Sequence, residues 1–346
     1  PPMCLAVVEN SNLQRQLNFK RFAMITTLST VISAGVAIVL AFYMSPLLAL
    51  FVLTGLVGVV QFIIYRLVGY EIPVGKFNST QLAEIWRSGR HFSLNSVSGV
   101  MWVNSPQLLF SILFPLDQVG IFVLCRRLVE MIATQVSGLV NGVIFPSFSS
   151  IRDDIDRICL VFQKCNFYIA SLMMIPLLVI GSSSGDFLTL YAGVEWSSGD
   201  EILFFIVLMQ LGLNFGQTVF PTFQALGDLS IPWKWNLGLM VVQLITISLF
   251  GTESLEDGVL ILAVSTGFMP LVVYRLSEQL GFSYFHWIAN MTLLAAMGLI
   301  VLVLARNFDV LLEDVNIYSR VAIVSMVGFF VYAFLFATFK MHKKYR

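Results

Sequence analysis

The chain has 346 residues, of which 58% are hydrophobic and 12% are charged. Soluble domains carry about 25% charged residues, so this composition excludes one large soluble domain. The formal net charge is zero, with Lys and Arg balanced by Asp and Glu, which argues against nucleic acid as the main partner.

Long apolar runs separate the few charged residues. A run of about 20 uncharged residues is long enough to cross the ~30 Å hydrocarbon layer of a bilayer as a helix. We therefore predict an all-α, polytopic helical membrane protein with about ten transmembrane helices. In chain order, the predicted spans are 21–43, 46–65, 92–114, 119–146, 166–187, 202–224, 235–251, 258–275, 285–305 and 318–340.

The segment before the first span and a repeated three-residue motif predict how the chain is divided. The segment before the first span has neither a charged nor an apolar signal region, so it is not a signal peptide. Tyr-Arg-Leu ends the second span at 65–67 and the eighth at 274–276, which predicts a six-helix repeat with about four helices upstream of Pro1.

On this basis the chain is expected to contain four parts. They are a cytoplasmic N-terminal segment with the last two helices of an N-terminal lobe (1–66), a cytoplasmic inter-lobe linker (67–91), a six-helix C-terminal lobe (92–280), and two additional helices with a basic cytoplasmic tail (281–346).

The fourth span is interrupted by charged residues. At 100° per residue, one polar stripe contains Arg127, Glu130, Thr134, Ser137, Gly138 and Asn141, and Arg126 lies beside it. A charge inside the bilayer costs at least ~2.5–3.5 kcal/mol and normally faces a bundle interior or a wet cavity. Other polar side chains are predicted to face the same cavity: Asn95 and Trp102 on the third span, and Gln210, Asn214 and Gln217 on the sixth.

The chemistry of this cavity predicts its ligand. Two arginines against one glutamate leave a net positive site, and guanidinium groups match phosphate oxygens. The amides and Trp102 suit sugar hydroxyls and sugar faces, so an amphiphilic phosphate-linked glycan is the predicted substrate.

Structural interpretations of the same residues stay open. Glu130 lies four residues after Arg126 and three after Arg127, the spacing of a self-neutralising ion pair. The helix could also begin near Leu128 and leave the charges at the interface. The amides could act only in helix packing, where they contribute ~0.6 kcal/mol each.

The basic residues predict the orientation of the spans. Ten crossings place both termini on one side, and that side receives every Lys and Arg except Arg126, Arg127, Arg306 and Arg320. Cytoplasmic connections are enriched in Lys and Arg, so both termini are predicted to be cytoplasmic. The opposite connections carry mainly acids: Asp186, Glu195, Asp200, Glu201, Glu253, Glu256 and Asp257.

No pattern in the sequence predicts an enzyme. The four cysteines lack metal-ligand spacing, and His91, His286 and His342 are scattered along the chain. The sequence also has no glycine-rich phosphate loop, no nucleophile elbow and no pair of carboxylates at hydrolytic spacing. We therefore predict no catalytic residue, no metal ligand and no cofactor.

Three segments carry a family resemblance: LNFKRFAMITTLSTVISAGVAIVLA (17–41), GIFVLCRRLVEMIATQVSGLVNGVIFPSFSSIRDD (120–154) and LYAGVEWSSGDEIL (190–203). They resemble the polysaccharide-transporter branch of the multidrug/oligosaccharidyl-lipid/polysaccharide exporter superfamily. The resemblance implies two six-helix lobes plus two further helices around a cationic cavity. This chain is similar to helices five to fourteen of that fold and is expected to be truncated at its N-terminus.

The resemblance also implies a function. Members of this branch flip undecaprenyl-diphosphate-linked oligosaccharides for O-antigen, capsule or exopolysaccharide across the bacterial inner membrane by alternating access. It implies that the region of Arg126, Arg127 and Glu130 lines or borders the cavity. The expected partners are the lipid-linked oligosaccharide and membrane lipid, with a glycan polymerase and glycosyltransferases acting beside the transporter.

Two other functions are weighed against this one. A cation-coupled drug antiporter of the same fold predicts a lone intramembrane acid, whereas Glu130 is flanked by arginines. A membrane-embedded glycan polymerase predicts large external loops rich in arginines and acids. The predicted external loops here are short and nearly free of basic residues.

Overall fold

The computed structural model of the chain describes residues 6, 7, 9, 10, 13, 19–43, 45–68, 79–150, 154–228, 230–310, 312 and 315–338. All regular structure in these residues is helical, which confirms the predicted all-α class. The α-helices are α1 (Phe19–Tyr43), α2 (Pro46–Leu67), α3 (Ser79–Leu113), α4 (Leu116–Ser150), α5 (Ile155–Ser182), α6 (Ser184–Ala192), α7 (Asp200–Leu213), α8 (Val219–Leu226), α9 (Ser230–Phe250), α10 (Leu255–Ser265), α11 (Leu271–Leu280), α12 (Tyr284–Val310) and α13 (Ile317–Thr338).

These helices agree with the prediction of about ten spans. α7 and α8 form one run through the 3₁₀ segment Asn214–Gly216, and α10 and α11 form another through Thr266–Phe268. Seven stretches of the described chain are long and apolar enough to cross a membrane by length and composition. α2, α3 and α4 are not among the seven, and the described parts of α3 and α4 contain polar and charged side chains.

The two broken runs touch each other at their breaks. Pro221 in α8 and Pro270 before α11 have no backbone N–H to continue a regular helix, so a 3₁₀ turn precedes each. A Cβ atom on Gly212 would lie only 2.7 Å from Thr266 Oγ1. Asn166 Nδ2 donates to the Phe215 carbonyl at 3.2 Å, which satisfies an acceptor at the first break.

The chain divides into two compact units, residues 1–83 and 84–346. In the first unit, α1 and α2 pack as a hairpin. Tyr65 is fully buried, and its hydroxyl donates to Asn10 Oδ1 at 2.5 Å. Gln61 Nε2 donates to Thr26 Oγ1 at 3.4 Å and joins the two helices.

α3 begins inside the predicted linker. It runs without interruption from Ser79 to Leu113, so residues 79–91 belong to the same helix as the third predicted span. The rest of the linker after residue 68 lies outside the described residues. The four-part division of the chain therefore stays a prediction.

The second unit has one continuous core, and α12 and α13 pack on its α5 side. A Cβ atom on Gly298 of α12 would lie 2.5 Å from Met174 Sδ of α5, so the two helices meet at close range. Tyr332 of α13 is buried and donates from its hydroxyl to the Ser171 carbonyl at 3.3 Å. The pockets of the unit are lined from its other side by α3, α4, α7, α8, α9 and α10, with one residue from α6.

Candidate functional site

The two adjacent arginines lie on different sides of α4, because neighbouring residues on a helix are 100° apart. Arg126 is 8% exposed, and its Nε donates to Glu130 Oε1 at 2.6 Å. Arg127 is exposed and makes no ion pair within the described part of the chain. The guanidinium groups therefore have different environments, one buried and paired and the other open to a ligand.

This geometry decides between the structural interpretations of the charges. α4 begins at Leu116, so the interpretation that the helix begins near Leu128 is wrong. The self-neutralising ion pair is present, but only between Arg126 and Glu130. By helix rise, Arg127 lies roughly 15 Å from the start of α4, well inside the helix.

Arg127 opens into a pocket of about 330 Å³, here called the Arg127 pocket. Thr134 on α4, Tyr191 at the end of α6 and the half-exposed Glu130 also line it. The Thr134 hydroxyl donates to the Met131 carbonyl at 3.0 Å. The remaining wall is apolar and is formed by Leu124, Leu128 and Met131. The pocket thus combines one guanidinium, two hydroxyl-bearing side chains and one carboxylate.

Arg126 and Glu130 line a second, smaller pocket of about 70 Å³, the Arg126 pocket. Trp102, Gln210 and Gln243 also line it. The Trp102 Nε1 and Gln243 Oε1 atoms are buried and have no hydrogen-bond partner among the described residues. Roughly 10–15 Å³ is enough for one water molecule, so this pocket has room for the partners that those atoms need.

A third pocket of about 370 Å³, the Gln217 pocket, adjoins the second. The two share Trp102 and Gln210 in their walls. Gln217 and Gln224 also line the third pocket, so Gln210, Gln217 and Gln224 repeat at seven-residue spacing across the break between α7 and α8. Three pockets, each with a few polar side chains in a mainly apolar wall, therefore lie side by side within the second unit.

The structure brings only some of the predicted site residues together. Arg126, Arg127, Glu130, Trp102, Gln210 and Gln217 all line at least one of the three pockets. Asn95 instead accepts from Asn236 Nδ2 at 3.4 Å, and Asn214 is buried and accepts from Gln210 Nε2 at 3.4 Å. The first contact joins α3 to α9 and fits the helix-packing interpretation, whereas the second lies within one helical run. The side chain of Asn141 lies outside the described part of the structure.

Sequence analysis missed four polar residues of these pockets: Tyr191, Gln224, Gln243 and Thr266. The seven-residue spacing of Gln210 and Gln217 also predicts Gln224, which lies after Pro221. Gln243 is a single amide in the otherwise apolar middle of α9, and its position predicts nothing until α9 is packed against α10. Tyr191 reaches its pocket from a different helix.

Comparison with known proteins adds information on ancestry and fold. The sequence model of a family described as "Polysaccharide biosynthesis protein" matches residues 2–198, more than half of the chain. Lipopolysaccharide biosynthesis protein WzxC of Escherichia coli (strain K12) is 22% identical over 308 residues, which are 87% of this chain and 62% of that protein. The chain thus spans less than two thirds of the length of this relative.

A solved structure has a similar fold. Lipid II flippase MurJ, in an inward closed conformation, superimposes with a TM-score of 0.62 at 13% sequence identity. The similarity covers 93% of this chain and 68% of that chain. It shows a shared helical membrane fold.

Proposed function

The chain belongs to the polysaccharide biosynthesis protein family, and on this premise we propose that it forms part of a transporter of lipid-linked oligosaccharide. The likeness to a lipopolysaccharide biosynthesis protein supports a glycan substrate, and the flippase fold supports translocation rather than catalysis. The proposed location is the bacterial inner membrane, where glycosyltransferases and a glycan polymerase would act before and after this step.

The observation that carries the proposal is the guanidinium of Arg127, which makes no ion pair with any described residue and opens into its pocket. An ionised side chain inside a membrane protein is costly unless a charged or polar partner meets it. A guanidinium binds two phosphate oxygens at once, and Tyr191 brings a hydroxyl donor to the same pocket. The proposed ligand of this pocket is the diphosphate of an undecaprenyl-diphosphate-linked oligosaccharide.

The other two pockets suit the sugar part of the same substrate. Trp102 offers an aromatic surface for a sugar face, and Gln210 and Gln217 offer donors and acceptors for hydroxyls. We propose that the oligosaccharide passes these residues as the transporter opens alternately to the two sides, in the manner of two-lobed transporters with a midplane site.

The drug antiporter of the same fold is the alternative, and one contact disfavours it. A cation-coupled antiporter needs a carboxylate that is free to bind the coupling ion. Glu130 is held by Arg126 at 2.6 Å, so its charge is already neutralised within the same helix. The site therefore favours an anionic substrate.

Removal of the chromosomal gene tests the proposed function. Surface polysaccharide should be lost, and undecaprenyl-linked oligosaccharide should accumulate on the cytoplasmic face, because its assembly continues while its export stops. Extraction and mass spectrometry of lipid-linked glycans measure this accumulation. Normal polysaccharide together with increased sensitivity to cationic drugs would instead support the antiporter.

The orientation is also a proposal, with both ends of this chain in the cytoplasm. A phosphatase reporter, active only outside the cytoplasm, should be active when fused after Trp196 and inactive when fused after Asp154. The reason is the excess of Lys and Arg in the connections on the side of Asp154. The opposite pattern of activity would invert the proposed topology.

A further inference from the structure

Seven polar side chains meet at one end of the second unit, where α5 ends, α6 and α7 begin, and α12 gives way to α13. This group, here called the terminal cluster, consists of Ser183, Ser184, Asp186, Asp200, Arg306, Asp309 and Arg320. It contains Arg306 and Arg320, the two arginines that the sequence places in the mainly acidic connections opposite the predicted cytoplasmic side. No part of the proposed transport mechanism uses it.

Arg320 links α13 to the start of α6. Its Nε and Nη2 both donate to the carboxylate of Asp186, which is the two-pronged geometry that makes such pairs directional. Its Nε also lies 3.7 Å from Asp309 Oδ1 at the end of α12. One guanidinium therefore joins three helices.

Arg306 links α12 to the start of α7. Its Nη2 donates to Asp200 Oδ2 at 2.6 Å, and its guanidinium carbon lies 4.5 Å above the ring of Phe204. The hydroxyl of Ser184 donates to the same Asp200 carboxylate, and the hydroxyl of Ser183 donates to Asp309 Oδ1 at 3.1 Å. Both serines are buried, so the carboxylates are held on several sides.

The charged groups of the cluster are less exposed than those of a surface ion pair. The side chains of Arg320 and Asp186 are 17% and 11% exposed. By comparison, the Glu278 side chain in the exposed Arg275–Glu278 pair of α11 is 46% exposed. Exposed pairs are screened by water and contribute about 0–1 kcal/mol, whereas removing one partner of a shielded pair leaves an uncompensated charge and costs more.

α6 runs from this cluster to the Arg127 pocket. Asp186 lies in its first turn, and Tyr191, which lines the pocket, lies in its last turn. The 3₁₀ segment Val194–Gly199 that follows packs tightly on α4, since a Cβ atom on Gly199 would lie 2.6 Å from Ile121 Cγ2. α6 is thus a short helix that connects the last two helices to α4, the helix that carries Arg127.

We propose that Arg320, acting through Asp186, is a positioning residue for the Arg127 pocket. It holds the first turn of α6 so that Tyr191, at the other end, stays beside Arg127. The last two helices thereby help to shape the pocket that receives the anionic head of the substrate. The transport consequence rests on the proposed function, whereas the positional consequence does not.

Labelling of a cysteine at the end of α6 tests the position directly. In a Tyr191→Cys protein expressed in cells, the rate of reaction with a small membrane-impermeant maleimide is measured, with background taken from the protein that retains Tyr191. Arg320→Ala should change this rate several-fold, because α6 loses its anchor. Asp186→Asn should give the same change, and the two combined should add nothing further.

Arg275→Ala, which breaks the exposed pair on α11, is the matched control and should leave the rate unchanged. If Arg320→Ala does not accumulate in the membrane, the isosteric Asp186→Asn decides the result alone. An unchanged labelling rate in a variant that does accumulate would overturn the proposal, as would changes that simply add in the double variant.

Transport measured in the same variants, with Tyr191 intact, separates this inference from the proposed function. Arg320→Ala should raise the apparent KM for lipid-linked oligosaccharide several-fold while kcat changes less, because the pocket is misshapen but its chemistry is kept. If the labelling rate changes but the unmodified protein transports no lipid-linked oligosaccharide, the proposed function is refuted. The positioning role of Arg320 is then still supported. A wild-type KM with unchanged labelling would refute the positioning role.

Discussion

Arg127→Ala is expected to abolish export of the glycan while the protein still accumulates in the membrane. The side chain is exposed in its pocket and makes no ion pair in the described structure, so its removal leaves no buried partner unsatisfied. A hydrogen bond to a charged group is worth about 1.5–3 kcal/mol, and two such bonds to a diphosphate would be lost together. A loss of this size corresponds to roughly 100-fold or more in affinity.

The measurement is the amount of surface polysaccharide together with the amount of protein in the membrane. Arg127→Lys should retain part of the activity, because lysine keeps the charge but cannot bind two oxygens in the same plane. Arg275→Ala removes an exposed arginine far along the chain and serves as the control. A normally expressed Arg127→Ala protein that exports normal polysaccharide would remove Arg127 from the site.

Glu130→Ala should act mainly on stability. It leaves the guanidinium of Arg126, 8% exposed, without its partner in a largely apolar surrounding. Breaking a fully buried pair costs about 3–5 kcal/mol. The Glu130 side chain is 45% exposed, so water screens part of that effect and we expect a loss of about 2 kcal/mol in the free energy of unfolding.

Thermal unfolding of the purified protein in detergent measures this effect as a lower Tm. The double variant Arg126→Met with Glu130→Gln should recover most of the loss, because neither charge then remains buried. Glu278→Ala breaks the exposed pair at i+3 spacing and should lower Tm by much less. Equal shifts for Glu130→Ala and Glu278→Ala would show that the burial of Arg126 has no energetic consequence.

These two expectations assign separate roles to residues that are neighbours in the sequence. Arg127 is proposed to meet the substrate, and Arg126 is proposed to hold Glu130 at the boundary between two pockets. A double substitution of both arginines would mix a loss of binding with a loss of stability. Single substitutions separate the two effects.

Local patterns determined the class of this protein and most of its helices. The composition and the length of the apolar runs predicted an all-α membrane protein, because only a helix satisfies its own backbone in lipid. The polar stripe on α4 and the amides of the sixth span follow from helical periodicity, and Arg126, Glu130, Trp102, Gln210 and Gln217 do line common pockets.

Tertiary packing decided what each polar side chain meets. Spacing predicted that Arg126 can pair with Glu130, but only the neighbouring helices determine that Arg126 is buried while Arg127 stays open. Asn95 shares its face with Trp102, yet it contacts Asn236 on a helix far along the chain. The pair of Arg320 and Asp186 joins residues 134 positions apart. Such contacts depend on how the helices are rotated and docked, which no local spacing in the sequence encodes.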